Sequence, residues 1–230
     1  MLTDAEGYKV DPNVGRCQVP QLPNPLKNRY FALRHGQSVA NMEGIISSNP
    51  AIGTVGHGLT VDGSAQARAA ATSLIELVGR AHVDSLVFIS SDFMRARQTA
   101  EECRAALQRI VSFEREAGGD RGGKVGGGGY ELPPVEIRTG LRERFFGELD
   151  GTVLINYQKV WPEDLIDGHQ EGMGVESVNT VASRIRDLFL GLEEEFQGSS
   201  IVLTSHADTL QIMQCYVANV DERLFSQVRF

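Results

Sequence analysis

The chain alternates between short apolar runs and longer stretches whose apolar residues recur every three or four positions. Tyr30–Leu33, Leu86–Ile89 and Ile201–Leu203 are continuous apolar runs of strand length. Each closes abruptly on polar residues: Arg34-His35-Gly36, Ser90-Ser91-Asp92 and Thr204-Ser205-His206. Helical spacings lie between and after them. Thr60-Val61-Asp62-Gly63 offers an N-cap and a first-turn acid ahead of Ala67, Ala70, Leu74 and Leu77. Ala96, Ala100, Cys103 and Leu107 mark a second helix; Val178, Val181, Ile185, Leu188 and Leu192 a third; Leu210, Met213 and Val217 a fourth. Strands apolar on both faces, alternating with helices, predict an α/β fold with three α/β/α layers around a mostly parallel sheet. In such sheets ligands bind beyond the carboxyl ends of the strands, so the three polar loops are expected on one rim.

Residues 1–28 carry Pro12, Pro20, Pro23 and Pro25 among scattered polar residues and read as an irregular N-terminal extension lying on the surface. Eight of the 25 glycines fall in Gly118–Gly129, a low-complexity stretch whose backbone entropy opposes a single conformation. The third strand comes after it, so it reads as a flexible insertion within one domain spanning 29–230. Hydrophobic residues at 41% and charged residues at 23% exclude disorder throughout. With 22 basic against 30 acidic residues, a net charge of −8 and no dense basic patch, the chain does not look like a binder of nucleic-acid phosphates. Three widely spaced cysteines, Cys17, Cys103 and Cys215, point to reduced thiols. The N-terminus has neither a basic region nor an apolar run, and no apolar stretch approaches a membrane span. A soluble cytoplasmic protein without a membrane partner is expected.

The polar loops carry a resemblance. Leu33-Arg34-His35-Gly36-Gln37-Ser38, with Asn41 following, resembles the signature of the histidine phosphatase (phosphoglycerate mutase-like) superfamily. Four further blocks match in order: Leu59-Thr60-x-x-Gly63-x-x-Gln66-Ala67, Ser90 to Ala100, Leu141-Arg142-Glu143-Arg144-Phe145-Phe146-Gly147, and Val202-Leu203-Thr204-Ser205-His206. The resemblance runs from about Tyr30 to Met213 and implies a phosphoglycerate mutase-like fold. It also implies a phosphohistidine at His35, with no metal and no other cofactor.

The chemistry of these residue types agrees. Phosphoryl transfer needs an in-line nucleophile, cations around the equatorial oxygens and a proton for the leaving oxygen. A neutral His35 supplies the nucleophilic nitrogen if its other ring nitrogen donates elsewhere. Arg34 and Arg95 offer planar forks for phosphate oxygens, Asn41 a neutral donor, and His206 a further donor to the same oxygens. Glu143 is the candidate acid and base. Arg97 and Arg104 compete with Arg95, and Glu131, Glu148 and Asp150 with Glu143; the block matches favour the residues named. His57, His82 and His169 read as structural. No His-x-x-x-His or Cys-x-x-Cys spacing suggests a metal site, and the glycine run lacks the Lys-Ser/Thr of a P-loop. One departure stands out: the family usually has glycine after the second histidine, where this chain has Ala207.

The segment Glu148–Glu171 holds six acids (Glu148, Asp150, Glu163, Asp164, Asp167, Glu171) against Lys159 and His169, and is expected to repel a second anionic group. The reading is therefore a phosphatase acting on a small-molecule phosphate monoester. A phosphoglycerate mutase-type phosphoryl transferase is the alternative, and a catalytically weak phosphate-binding module the next. The oligomeric state is left open by the sequence.

Overall fold

Four parallel strands make the sheet that positions everything else: β3 (Arg29–Arg34), β4 (Leu86–Ser90), β5 (Glu136–Ile137) and β6 (Ser200–Ser205), in the order β3-β6-β4-β5. The computed structural model describes residues 14–117 and 131–227, together with a short antiparallel pair, β1 (Leu2–Thr3) and β2 (Lys9–Val10). The expected insertion at 118–129 lies outside the described residues. The helices are α1 (Val39–Glu43), α2 (Pro50–Gly53), α3 (Val61–Val78), α4 (Met94–Ala117), α5 (Trp161–Ile166), α6 (Val178–Glu195) and α7 (Ala207–Val217).

Alternation along the central strands explains the three layers. Val87, Ile89, Ile201 and Leu203 face α6 and α7, where Val181, Ile185, Phe189 and Leu210 are buried against them. Leu86, Phe88 and Val202 face the other way, onto Ala71, Ile75, Cys103 and Leu107 of α3 and α4. Burying both faces is what a continuous apolar run requires. β3, at the edge of the sheet, is only half buried and leaves Ala32 exposed.

Thr60 caps α3 as its sequence suggested, its hydroxyl accepting from the Gly63 N–H at 3.0 Å. The buried face of that helix differs from the expected one. Leu77 is 67% exposed, while Ala67, Ala71, Leu74, Ile75 and Val78 face the core. The turn at Gly79 ends the helix one residue after Val78, so both spacings were open to the sequence pattern. In the extension, residues 17–26 contribute Cys17, Val19, Leu22 and Leu26 to the α6–α7 side of the core. The Pro20 carbonyl accepts from the Tyr216 hydroxyl at 2.6 Å and from Arg186 Nε at 3.1 Å. That segment is anchored rather than merely draped.

Candidate active site

Register brings the two histidines together. Arg34 pairs with Ser205 across β3 and β6, and the His35 N–H donates to the Ser205 carbonyl at 3.0 Å. His35 and His206 therefore leave adjacent strand ends side by side, with ring centroids 5.1 Å apart in an edge arrangement. β4 ends beside them, its Ser91 N–H donating to the Thr204 carbonyl at 3.0 Å. Gly36 then passes so close to Gly63 that a side-chain carbon at Gly36 would strike the Gly63 carbonyl, and one at Gly63 the Gln37 carbonyl. Two glycines from separate sequence blocks thus share one backbone crossing, which fixes the His35 loop against the start of α3.

The bonds of His35 define its state. Nδ1 lies 2.8 Å from the Gly36 carbonyl, which can only accept, so Nδ1 carries the proton and Nε2 the lone pair. Arg95 Nε donates to that Nε2 at 3.2 Å. Burial, then the Arg95 charge, then that of Arg34, hold the imidazole neutral and push its pKa down to about 3, against the opposing pull of the Gly36 bond. Arg95 itself is 3% exposed. Its outer nitrogens donate to Ser47, to the carbonyl at 2.8 Å and the hydroxyl at 3.3 Å, and its guanidinium lies over the Phe93 ring. The Thr99 hydroxyl joins the two loops, accepting from the Gly36 N–H at 3.1 Å and donating to the Arg95 carbonyl at 2.7 Å. Arg34 is exposed at the end of β3, and Arg97 is half-buried where Arg95 is buried.

His206 is fully buried, its Nε2 3.0 Å from the Ser91 hydroxyl, while Nδ1 has no partner among the described residues. Desolvation first, then Arg95, His35 and Arg184, keep this ring neutral as well. Ala207 is the first residue of α7, where a methyl group costs no backbone strain. Glu143 reaches the same rim from the loop after Leu141. Its Oε1 accepts from the Arg144 N–H at 2.9 Å and from the Thr209 N–H at 3.3 Å, and the Thr209 hydroxyl, donating to the Arg142 carbonyl at 2.8 Å, lies 3.3 Å away. It borders a cleft of about 490 Å³ shared with Ser48, Phe145, Arg142 and Arg184. Both arginines are already engaged, Arg142 by Asp92 in a fork with bonds of 2.6–3.1 Å and Arg184 by Glu176 at 2.8 and 3.1 Å.

A family model for the histidine phosphatase superfamily (branch 1) matches residues 30–118 and 127–230 of this chain. The chain belongs to that superfamily. Among solved structures, a mycobacterial glucosyl-3-phosphoglycerate phosphatase complexed with VO3 shares 23% identity at a TM-score of 0.60, over 86% of this chain and 84% of that one. A phosphoserine phosphatase from Entamoeba histolytica, a mutant in complex with phosphoserine, shares 19% identity at a TM-score of 0.61, over 88% and 86%. Both likenesses show the histidine phosphatase fold. No curated protein matches the sequence. No helix among the described residues is long and apolar enough to cross a membrane.

Against this superfamily frame, the site residues expected from sequence divide. His35, Arg95, His206 and Glu143 converge, with Arg34 at the mouth. Asn41 is exposed; its side-chain oxygen accepts from the Ser38 N–H and hydroxyl, both at 3.0 Å, and closes the capping box of α1, which leaves its amide N–H groups outside that bond. The rival carboxylates are elsewhere. Asp150 holds the 48–49 loop through the Ser48 hydroxyl and the Asn49 N–H, and Glu148 is exposed. The six-acid segment is also less of a field than its composition suggests. Asp150 is spent on that loop, and Asp164 is buried against Arg144 with bonds of 2.6 and 2.7 Å. His57, read as structural, contacts the Ser47 hydroxyl that supports Arg95. Ser47, which holds Arg95, and Asp208 and Tyr157, on which the Glu143 charge acts, gave no sequence signal, because each joins the site through contacts distant in the chain.

Proposed function

We propose that this chain hydrolyses a phosphate monoester through a phosphohistidine formed on His35. The observation that carries the reading is the tautomer of His35, neutral with its Nε2 lone pair beside a buried guanidinium. An incoming phosphoryl group takes over the Arg95 N–H now given to Nε2, which frees the lone pair to attack phosphorus in line with the leaving oxygen. Arg95 and Arg34 balance the charge on the equatorial oxygens, and the unpartnered His206 nitrogen is a polar atom that a phosphate oxygen can satisfy. As the phosphorus–oxygen bond breaks, Glu143 passes its proton to the departing alcohol. A water then attacks the phosphohistidine, gives its proton back to Glu143 and releases phosphate and a neutral His35.

The cleft beside Glu143 supports an alcohol without a strong second charge. Its two arginines already face their own carboxylates, so a second anion finds no uncommitted cation there. The substrates for which the two structural neighbours are named, glucosyl-3-phosphoglycerate and phosphoserine, support small phosphate esters as a class. Three free thiols and a net charge of −8 support a cytoplasmic protein acting on small molecules rather than on nucleic acid. We read residues 29–230 as the catalytic domain and residues 1–28 as its extension.

Glu143→Gln tests the assignment. With an aliphatic monoester, whose alkoxide needs a proton, the rate is expected to fall by about 10²–10⁴-fold. With p-nitrophenyl phosphate the rate of the nitrophenol burst, which reports phosphorylation alone, is expected to fall much less, since that leaving group is stable as an anion. Equal losses on both substrates would remove Glu143 from the role of leaving-group acid.

A further inference from the structure

The N-terminus of α7 holds a second carboxyl that the steps above leave unused. Asp208 is 3% exposed and precedes Thr209, whose N–H donates to Glu143 Oε1 at 3.3 Å and whose hydroxyl, donating to the Arg142 carbonyl at 2.8 Å, lies 3.3 Å from that same carboxylate oxygen. The chain step from Asp208 to Thr209 therefore brings the two acids to the same helix end. Asp208 Oδ2 accepts from the Trp161 indole N–H at 3.2 Å, and Arg144 Nη1 stands 3.9 Å from the same oxygen. Arg144 is no dedicated partner, because its fork is filled by both oxygens of Asp164 and its Nε by the Glu176 carbonyl.

The groups that face Asp208 can be followed element by element. Glu143 and Arg144 come from the loop after Leu141, Asp164 and Trp161 from α5, and Tyr157 from the turn ahead of α5. Arg184 of α6 stops at the Thr209 hydroxyl, 3.4 Å away. Two carboxyls and one committed guanidinium make a poor setting for another buried negative charge. Burial first, and the Glu143 charge second, push the Asp208 carboxyl up to about 7, although Arg144 and the Trp161 bond pull the other way.

We propose that Asp208 is a positioning residue for the proton of the reaction: with Glu143 it forms a carboxyl pair that holds one proton between them. In such a pair the charge on one carboxyl opposes the charge on the other, so a proton lost from one is held more tightly by its neighbour. The proton goes to the departing alkoxide oxygen and returns from the water that cleaves the phosphohistidine, so the pair ends as it began. The catalytic half of this inference rests on the phosphatase reading; the pairing does not.

Trp161, the chain's single tryptophan, bonds Asp208 directly and reports its state without any substrate. Its fluorescence, followed from pH 4 to 9, is expected to show a transition near 7. That transition should vanish in Asp208→Asn. In Glu143→Gln, which removes the like charge, it should move at least about one unit lower, the scale at which paired sites are coupled. A transition that persists in Asp208→Asn, or that stays in place in Glu143→Gln, overturns the pair. Should Asp208→Asn fail to fold, Glu143→Gln alone decides. The second readout is the pH profile of kcat/KM for β-glycerophosphate. In Asp208→Asn its alkaline limb should move down by about one unit or more, a loss of about tenfold on that limb. A limb that superimposes on the parent protein overturns the catalytic role. A parent protein that hydrolyses no monoester overturns the phosphatase reading and with it the catalytic half, while the fluorescence titration still decides the pairing.

Discussion

His35→Ala is expected to lower kcat/KM for every monoester by about 10⁴–10⁶-fold, the range seen when a nucleophile that works as part of a unit is removed. The fold should survive, because Arg95 keeps both Ser47 bonds and its contact with Phe93. A stability signature should accompany the loss. His35 and His206 are neutral in the folded chain, whereas the unfolded chain binds a proton at each near the ordinary histidine value of about 6.5. Stability is therefore fully present above that pH and declines as the pH falls below it. Each of the two histidines contributes a slope of about 1.4 kcal/mol per pH unit, for His35 continuing down to about 3. His35→Ala should flatten urea-derived stability between pH 4.5 and 6.5 by one proton's worth. An unchanged slope would mean that His35 is not held neutral.

Asp164→Ala should be the most destabilising of the substitutions considered. Arg144 and Asp164 are both fully buried, and removing one member of such a pair leaves an uncompensated charge at a cost of about 3–5 kcal/mol. In a domain of this size that corresponds to a melting temperature lower by roughly 6–20 °C. The damage should reach the site, because the Arg144 N–H holds Glu143 and its side chain packs over Phe146 and Phe225. Glu163→Gln, at an exposed position in the same acidic segment, should leave melting within about 1–2 °C, as a surface change of under about 0.5 kcal/mol implies. Thermal unfolding of the two variants side by side checks both expectations. A shift of only a degree or two in Asp164→Ala would return that residue to the role of a surface charge.

These two outcomes also mark how far the sequence could be read. The strands at 86–89 and 201–203 were legible because burial on both faces demands unbroken apolar runs, and their parallel pairing then placed His35 beside His206. Arg95 was legible through its block, although nothing in its own spacing separated it from Arg97; burial did that. Asp164 was misread because its partner, Arg144, is twenty residues away and a charge run carries no sign of which members are consumed inside. Asn41 shows the opposite limit: its partner, Ser38, is so close that a cap and a ligand look alike. β5 escaped notice because two residues carry no period, and it exists only as a pairing on the edge of β4. Ser47, Tyr157 and Asp208 join the site through tertiary contacts, to which hydrophobic periodicity is blind.

The central claim is the covalent intermediate. The direct measurement is rapid mixing with a ³²P-labelled monoester, quenching in alkali, and mapping of the label by digestion. The account predicts an acid-labile, base-stable phosphoenzyme on the peptide that contains His35, absent from His35→Ala and longer-lived in Glu143→Gln with an aryl ester, where dephosphorylation lacks its base. Label on any other residue, or label retained by His35→Ala, would contradict it.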